Sequence, residues 1–563
     1  MNFLFNHIGF APSANKVALI EAPVDQLEGK TFTVFDANTR HAVFRGAIHA
    51  RGMVAKWKNW HFWAADFSEF TQVGEYFIVI DEMHPPLVSH RFAIGDDLFA
   101  GQMLSDIVHY IKGQRCTGIY NIADLSRPKW NSDERRDVSG GWYDASGDCS
   151  KYLSHLAFSQ YMNPQQTPQV VWNLIDGHSR LPQQLKWFDE RMIDEALHGA
   201  DFLVRMQDPA GYFYMTVFDQ WSKDENRRDI CEYKTQKGDK YATYQAAYRQ
   251  GGGMAIAALA RASQLSRDGE GFTRADYLLA ASRGFAHLEQ HNIEYLGDQT
   301  ENIIDDYCAL LAAIELLNVS EDAVYATAAE VRVNNILARQ DAEGWFRADD
   351  KGERSYFHAA EAGLLYISLM RFIEVWPESN LVGAIRTALR KAYQFELKIT
   401  FADVNNPFGY PRQYVKHNGL AGNTQFFIPH QNESGYWWQG ENARLGSIVA
   451  AAAQARHLFA DDAKFVADLA RYEQASLDWI LGANPYDACM LQGWGRNNPR
   501  YEPGFYNAPG GVCNGITSGF DDEDDIDFKT AEVATMANSW RWTEQWMPHG
   551  AWLFLALCHR IQH

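Results

Sequence analysis

Residues 137–148 read Asp-Val-Ser-Gly-Gly-Trp-Tyr-Asp-Ala-Ser-Gly-Asp, a glycine-rich stretch in which two acids, Asp144 and Asp148, lie four positions apart. Glycine permits positive φ and lets a ligand approach the main chain closely. Trp142 and Tyr143 place aromatic faces, which suit sugar rings, beside the acids. Glycoside hydrolysis needs such a carboxylate to activate water, with a second acid to protonate the leaving oxygen. The same pattern is typical of a turn or a helix cap, so the rest of the chain must decide.

The composition is that of a globular protein with excess acid. The 563 residues exceed one ordinary core, so two or more domains are expected unless one is a large barrel. The net charge of −20 (51 basic against 71 acidic residues) argues against nucleic acid and anionic membranes as partners, and is compatible with a cationic substrate. The 18 Trp suit either a large core or a carbohydrate site.

The cysteines and the N-terminal residues predict a cytoplasmic location. Seven irregularly spaced cysteines without a Cys-x-x-Cys motif indicate reduced thiols rather than a zinc ribbon or a disulfide framework. Residues 1–7 lack the basic region and long apolar core of a signal peptide. No run reaches the roughly 18 apolar residues of a membrane span. The sequence carries no sign of an oligomeric state.

Residues 1–98 predict a small β-sandwich. Short, partly alternating apolar runs are separated by turn residues at intervals of about ten positions. The predicted strands are Val17–Ile20, Phe32–Phe35, Val43–Ile48, His61–Asp66, Tyr76–Ile80 and Val88–Ile94.

From Leu98 onward the apolar residues recur every three or four positions, which predicts helices. About twelve are expected, near 99–112, 150–160, 189–206, 250–265, 275–289, 302–317, 322–338, 358–374, 383–396, 442–459, 463–481 and 544–561. Some are apolar all round, which predicts burial. Buried helices alternating with amphipathic ones indicate a toroid of two concentric layers.

Four long non-helical segments interrupt this pattern, at 113–149, 207–249, 399–441 and 482–543. Loops of this length in a compact domain are usually functional or disordered. These contain many Trp, Tyr, Gly and Pro rather than polar repeats, so we expect them to be ordered and to form one cleft at an end of the toroid.

Two further motifs accompany the opening stretch: Gly435-Tyr436-Trp437-Trp438-Gln439-Gly440-Glu441-Asn442-Ala443-Arg444, and Ile480-Leu481-Gly482-Ala483-Asn484-Pro485 followed by Gly493-Trp494-Gly495-Arg496-Asn497-Asn498-Pro499. Together the three resemble glycoside hydrolase family 9, in which the first loop usually reads GGWYDAGD and the last segment ILGxNP…GxGxNxP. Residues 6–10, 66–68 and 74–76 resemble the immunoglobulin-like module that precedes many of these catalytic domains. The resemblance extends over essentially the whole chain.

This resemblance implies an immunoglobulin-like β-sandwich over 1–98 and an (α/α)6 barrel over 99–563, which hydrolyses a β-1,4 glycosidic bond with inversion. Asp148 takes the position of the family's base, and Asp144 helps to hold the water. Trp142 and Tyr143 are expected to contact substrate. Trp437 and Trp438 either stack on sugar rings or belong to the core.

The loop departs from the family pattern at one point. Asp144-Ala145-Ser146-Gly147-Asp148 stands where the family has D-A-G-D, so the chain has one extra residue between its two acids. The relative position of the acids is therefore where we expect an altered site geometry.

The general acid of the family lies where the last helix begins, which favours Glu544 and leaves Glu532 as the alternative. Glu544 precedes Gln545-Trp546-Met547-Pro548. Trp546 would supply an apolar wall that raises the pKa of the acid. A glutamate at a helix start also interacts favourably with the helix dipole, so its position alone does not assign a catalytic role.

A second departure from the usual sequence of the family bears on the substrate. Cellulose-cleaving members usually carry His-His-Arg after the NxP segment, whereas here Pro499 is followed by Arg500-Tyr501-Glu502. An acidic run, residues 521–527, lies downstream and forms either a solvated face or a rim for cationic amino sugars. The combination resembles cytosolic exo-β-D-glucosaminidases, found beside chitin-catabolic enzymes, which remove glucosamine from the non-reducing end of short chitosan-type oligosaccharides.

Other functions stay open at this stage. The closest alternative is a cellulase-type enzyme on β-1,4-glucan oligosaccharides. A sugar-binding protein with an inactive site is conceivable because of the extra loop residue. A polysaccharide lyase on a similar toroid is disfavoured, because lyases act on polyanionic uronates and these loops are acidic. The resemblance implies no required cofactor and allows a structural calcium ion.

Overall fold

The computed structural model describes residues 1–96, 98–99, 101–235, 237–417, 420–435, 439–501, 507–530 and 536–561, without the side chains of 536–538. An N-terminal antiparallel β-sandwich precedes a larger helical part. The predicted boundary at residue 98 falls between the last strand of the sandwich and the first helix.

The sandwich is built from eight strands whose order is β1-β2-β5-β4-β3-β6-β7, with β8 also on β6. They are β1 (Phe3–Leu4), β2 (Val17–Glu21), β3 (Thr31–Asp36), β4 (Ala42–Met53), β5 (His61–Asp66), β6 (Gly74–Ile80), β7 (Leu87–Val88) and β8 (Phe92–Ile94). The first half of β4 pairs with β3 and its second half with β5, so this strand joins the two sheets. Phe32 and Val34 alternate inward along β3, as the period of two requires.

Fourteen helices are found in the described part of the chain. They are α1 (Gln102–Gly113), α2 (Gly118–Asp124), α3 (Thr167–Arg180), α4 (Asp189–Arg205), α5 (Gly252–Ala262), α6 (Arg274–Tyr295), α7 (Ile303–Ser320), α8 (Ala323–Ala338), α9 (Leu364–Val375), α10 (Val382–Phe401), α11 (Asn442–Leu458), α12 (Ala463–Ile480), α13 (Met536–Thr543) and α14 (Met547–Ile561).

Six of these helices form a closed inner ring. Contacts run from α3 to α5, α7, α9, α11 and α14 and back to α3. The inner helices are buried along most of their length. Helices α1, α4, α6, α8, α10 and α12 pack outside them. The mainly α architecture predicted from the sequence, a two-layered (α/α)6 barrel after a β-sandwich, is confirmed.

Twelve short strands lie in the described loops between the helices. They are β9 (Arg127–Pro128), β10 (Arg135–Arg136), β11 (Lys151–Tyr152), β12 (Phe213–Tyr214), β13 (Thr216–Phe218), β14 (Asp229–Lys234), β15 (Asp239–Tyr241), β16 (Gln245–Ala246), β17 (Gln413–Val415), β18 (Asn423–Gln425), β19 (Thr517–Ser518) and β20 (Ile526–Asp527). Strands β11, β13, β14 and β15 form one antiparallel sheet.

The predicted helix over 150–160 is wrong. Lys151–Tyr152 pair with Thr216–Val217, and the helix starts only at Thr167. Pro168 lies in the first turn of α3, where a missing N–H costs nothing, and this signal was overlooked in the sequence. The helix expected near 358–374 likewise begins later, at Leu364. Helices α2, α3 and α13 were not predicted.

The sandwich is joined to the barrel by motifs from both parts. The His7 N–H donates to the Leu481 carbonyl at 2.9 Å, and His7 Nε2 lies 2.9 Å from Asp487 Oδ1. A Cβ on Gly482 or Gly495 would approach the His7 side chain within 2.4 or 2.8 Å. Gly482 and Gly495 of the 480–499 motif therefore make room for the sandwich at the interface between the two parts.

Candidate active site

One cavity of about 470 Å³ contains all three acids predicted from the sequence, Asp144, Asp148 and Glu544. Its other described lining residues are Gly147, His155, Leu156, Trp221, Tyr233, Gln439, Tyr501, Trp540, Arg541 and Trp546. The volume lies within the roughly 300–1,000 Å³ of small-molecule sites. Carboxyl groups enclosed by aromatic side chains provide both apolar surface for a sugar and groups that transfer protons.

The Asp148 carboxylate is oriented through both of its oxygens. The Ser150 N–H donates to Oδ1 at 2.8 Å, and the Tyr152 hydroxyl donates to Oδ2 at 2.8 Å. Tyr152 belongs to β11, so the sheet holds this side chain in place. Burial and the neighbouring charge of Asp219 raise the pKa of Asp148, while the two donors oppose the rise by stabilising the ionised form.

The Asp144 carboxylate is held by two side-chain donors. Trp546 Nε1 donates to its Oδ1 at 2.9 Å, and Gln166 donates to the same oxygen. Burial, followed by the charges of Asp148 and Glu544, raises its pKa well above the ordinary range of an aspartate. The charges of the other two acids therefore favour the protonated form of Asp144.

His155 lies beside this carboxylate as a neutral side chain. Its Nδ1 is 4.0 Å from Asp144 Oδ2, and burial lowers its pKa to about 3. Its ring packs edge-on to Tyr152 at 4.7 Å between centroids. Because the imidazole is uncharged at neutral pH, His155 supplies shape and a polar edge to the cavity.

Glu544 has the electrostatic character of a general acid. Burial and the charge of Asp148 raise its pKa to about 8, against weaker opposing hydrogen bonds from the Gly147 backbone and from Tyr501. A carboxyl group with this pKa keeps its proton at neutral pH. The alternative candidate, Glu532, lies outside the described residues.

The extra residue Ser146 connects the two halves of the site. Its N–H donates to the Gln545 carbonyl at 2.8 Å, and its Oγ accepts from the Gln545 N–H at 3.1 Å. The Met547 N–H donates to the Asp144 carbonyl at 3.0 Å, which extends the same pairing. A Cβ on Gly147 would come within 2.5 Å of Glu544 Oε1. The loop of the two aspartates is thus fastened to the segment that carries Glu544.

The aromatic residues of the opening stretch lie outside the cavity lining. Trp142 is only 2% exposed, and its Nε1 donates to Glu195 at 3.3 Å. Its ring fills the space above Gly199, where a Cβ would come within 2.3 Å. The Tyr143 hydroxyl donates to the Thr117 carbonyl at 3.2 Å. Trp142 supports the loop from beneath, and Tyr143 anchors its edge; the contacts with substrate expected from the sequence stay a prediction.

The predicted sugar-binding pair Trp437 and Trp438 lies outside the described residues. Of their motif, Gln439 reaches the cavity. Glu441 is buried and accepts from the Ile428 N–H at 2.7 Å and from Arg444 Nε at 2.5 Å. The C-terminal half of the motif therefore braces the start of α11.

The acidic run of residues 521–527 is engaged with lysines. Lys56 of the sandwich lies 3.2 Å from Asp522 and 3.1 Å from Asp524, and Lys58 lies 3.1 Å from Asp525. Lys529 is 3.0 Å from Asp527. These pairings join the run to the N-terminal part of the molecule, and none of its residues lines the cavity.

Neither a metal-binding cluster of side chains nor a membrane-spanning helix is found in the described part. No group of three or more His, Cys, Asp or Glu side chains there is arranged to hold a metal ion. The structural calcium ion allowed by the resemblance stays a prediction. None of the described helices combines the length and apolar character needed to cross a bilayer. All seven cysteines are unpaired.

Several residues that shape the site could not be picked out from the sequence: Tyr152, His155, Gln166, Trp221, Tyr233 and Tyr501. They come from three separate segments, before α3, between α4 and α5 and after α12, and each belongs to a common residue type without a local motif. The only available signal was the length and aromatic content of the loops themselves.

Comparison with known proteins agrees with this arrangement. The model of Glycosyl hydrolase family 9 matches residues 101–502, and that of the Cellulase N-terminal ig-like domain matches residues 2–84. No significant match is found among curated proteins.

Similar solved structures include a metagenome-derived glycoside hydrolase family 9 endoglucanase (18% identity, TM-score 0.68, covering 100% of this chain and 99% of that one). A Bacteroides ovatus GH9 protein gives 18% identity and a TM-score of 0.66, with 100% and 98% covered. A single mutant of the thermostable endoglucanase from Alicyclobacillus acidocaldarius gives 18% and 0.64, with 100% of both chains covered. At these identities the similarity establishes the fold.

Proposed function

Because the chain belongs to glycosyl hydrolase family 9, we propose that this glycosidase hydrolyses β-1,4 bonds of short glucosamine-containing, chitosan-type oligosaccharides, from the non-reducing end and with inversion. The observation that carries the proposal is the cavity in which Asp144, Asp148 and Glu544 meet among aromatic side chains. The two donors to Asp148 favour its ionised form, which is the base, whereas burial and the charge of Asp148 keep the proton on Glu544, which is the acid.

The mechanism assigns one proton transfer to each of two groups. Asp148 takes a proton from a water molecule as the water oxygen bonds to the anomeric carbon, and Asp144 accepts the second hydrogen bond of that water. The bond from the anomeric carbon to the leaving oxygen breaks, and Glu544 gives its proton to that oxygen. Attack from the face opposite the leaving group inverts the anomeric centre. Exchange of one proton with solvent restores both carboxyl groups.

The preference for glucosamine rests on charge. Among the described residues, the cavity lining has three carboxyl groups and one guanidinium, that of Arg541. Of these carboxyl groups, the ionised base Asp148 is the one that attracts a protonated 2-amino group, since Glu544 keeps its proton at neutral pH. A cytoplasmic location and action on single chain ends remain predictions that accompany this substrate.

The alternative substrate is a β-1,4-glucan oligosaccharide. It is favoured by the similar structures described as endoglucanases. Product analysis separates the two substrates: the protein is incubated with chitosan dimers and tetramers, and in parallel with cellobiose and cellotetraose. Release of glucosamine monomers from the chitosan series alone supports the proposal. Glucose or cellobiose released from the glucan series alone overturns the substrate assignment.

The pH dependence tests the assignment of acid and base. Since the pKa of Glu544 is raised to about 8, kcat/KM is expected to fall as pH rises through that value. The lower limb should lie above the pKa of an ordinary aspartate, because the pKa of Asp148 is raised. Asp148→Ala and Glu544→Gln should each reduce turnover by about 10²–10⁴-fold with an unchanged circular dichroism spectrum.

The exposed Glu378 provides a matched control for these carboxyl substitutions, and Glu378→Gln should retain activity. If Glu544→Gln keeps both its turnover and its upper pH limb, the acid lies elsewhere. Glu532→Gln is then the next variant to measure.

A further inference from the structure

The turn Asp219–Lys223, which follows β13, is held in an unfavourable backbone conformation beside the cavity. Gln220, Trp221 and Lys223 have φ values of 58°, 54° and 56°. Non-glycine residues adopt this region rarely, and several in one turn persist only when the surroundings hold them. Such strain is concentrated in proteins at binding and catalytic sites, which indicates a role for this turn in the site.

Asp219 supplies the contacts that hold this turn. Its side chain is fully buried and accepts from the Trp221 N–H at 3.1 Å and the Lys223 N–H at 2.7 Å. It also accepts from Ser150 Oγ at 2.7 Å. The Ser150 N–H in turn donates to Asp148. One carboxylate therefore fixes both the turn and the residue that orients the base.

Trp221 is the residue that the turn presents to the cavity. Its side chain lines the cavity, yet the residue is 40% exposed. The ring packs nearly perpendicular to Phe218, at 5.0 Å between centroids, and to Tyr233, at 5.7 Å. Gly238 makes room for it, because a Cβ there would come within 2.9 Å of the indole ring. A rigidly supported indole thus keeps apolar surface open to the ligand space.

We propose that Trp221 is the aromatic platform on which a pyranose ring of the substrate binds, and that Asp219 is a positioning residue for both this platform and the base Asp148. The C–H faces of a β-1,4-linked pyranose match the negative face of an indole. A protonated glucosamine adds a cation–π attraction that a glucose unit lacks. The assignment rests on the proposed function and names the group that binds its substrate.

The first experiment separates binding from chemistry. Oligosaccharide affinity is measured by calorimetry in the Asp148→Asn background, with glucosamine and glucose tetramers. Trp221→Ala should raise Kd roughly tenfold or more, because burial of a large aromatic side chain contributes about that much. Trp221→Phe should recover most of the affinity. In the active protein, Trp221→Ala should raise KM more than it lowers kcat.

Trp187→Ala serves as the matched control, since Trp187 is 57% exposed and does not line the cavity. An unchanged Kd for Trp221→Ala, or a loss equal to that of Trp187→Ala, overturns the platform. Absence of any binding to the tetramers in the Asp148→Asn background overturns it as well. If the wild-type protein cleaves no β-1,4 oligosaccharide, the proposed function fails while the affinities still decide the role of Trp221.

The second experiment concerns Asp219. The ionisable groups that act on Asp148 are Asp144, Cys149, Tyr152, Asp219 and Glu544. Asp219→Asn removes one negative neighbour while keeping the shape of the side chain. The lower limb of the kcat/KM profile should therefore move to lower pH, because the pKa of Asp148 falls. A uniform loss at every pH, with the limb unmoved, contradicts the positioning role.

Discussion

At the scale of single residues, Ser146 is the feature that distinguishes this site. It is the extra residue between the two aspartates, and its hydroxyl accepts the Gln545 N–H next to Glu544. Its own N–H donates to the Gln545 carbonyl. The inserted residue therefore joins the two acid-bearing segments, and Gly147 beside it lies against the Glu544 carboxyl group.

Removing this hydroxyl should impair the acid more than the base. In Ser146→Ala the Gln545 N–H loses its partner, and we expect kcat to fall roughly tenfold on oligosaccharides, because small displacements of catalytic groups are costly. The loss should be smaller on an aryl glycoside whose leaving group needs little protonation. Steady-state kinetics on both substrates measures the difference.

Ser476→Ala is the matched control, since Ser476 is fully buried in α12 and donates to the Tyr472 carbonyl at 2.9 Å, outside the cavity lining. Equal losses of Ser146→Ala on the two substrates would indicate a general loss of structure. That result would remove the link between Ser146 and Glu544.

At the scale of the elements, buried acids tie the inner helices to the loops. Glu361, just before α9, accepts from the Tyr307 hydroxyl of α7 at 2.6 Å and from the Gln165 N–H before α3 at 2.7 Å. Burial raises its pKa to about 8, so it is protonated at neutral pH. The carboxyl group thus connects three elements of the ring without a counter-charge.

This elevated pKa makes stability depend on pH. Between the ordinary pKa of a glutamate and about 8, the unfolded chain releases the Glu361 proton more readily than the folded one. The free energy of unfolding should therefore decrease as pH rises through that window, by at most about 1.4 kcal/mol per pH unit for this group. In Glu361→Gln the decrease should be shallower. Urea unfolding between about pH 5 and pH 8, the interval between the two pKa values, measures the difference.

The exposed Glu378 again offers a control, because Glu378→Gln should leave the slope unchanged. The prediction is contradicted when Glu361→Gln and the wild-type protein show the same slope.

At the scale of the whole molecule, the sandwich and the barrel share an aromatic interface. Trp57 is 1% exposed and packs against Phe426 and Trp479, with ring centroids 4.8 and 5.8 Å apart. Its neighbours Lys56 and Lys58 pair with the acidic run. The same sandwich loop therefore contributes the apolar centre and the charged edge of the contact.

Truncating the Trp57 side chain should weaken the contact between the two parts, so that they unfold independently. Trp57→Ala is expected to cost about 3–5 kcal/mol and to replace a single thermal transition by two in calorimetry. Trp57→Phe keeps most of the contact and should unfold nearly as the wild-type protein does. A single transition at the wild-type temperature for Trp57→Ala would show that the two parts are coupled elsewhere.

Some features of this protein could be predicted from its sequence, and others could not. Most of the helices are apolar at intervals of three or four, so eleven of them and their two-layered arrangement were predictable from local pattern. The segment 150–160 was mistaken for a helix because its pairing partner, β13, lies about sixty positions further on. Trp142 was expected to contact substrate. Whether an aromatic side chain faces a core or a cavity depends on its packing partners in the folded chain, and the Trp142 ring packs against Gly199.

The sequence by itself determined the class of the fold and indicated three candidate acids, two in the Gly140–Asp148 loop and one just before the final helix, since helical periodicity and motifs are properties of neighbouring residues. Only the tertiary structure decided that Ser146 fastens one acid segment to the other, that lysines of the sandwich pair with the acidic run, and that Trp221 faces the cavity. These contacts join residues up to several hundred positions apart. Their burial and their fields, which set the pKa values of the acids, exist only once the chain has folded.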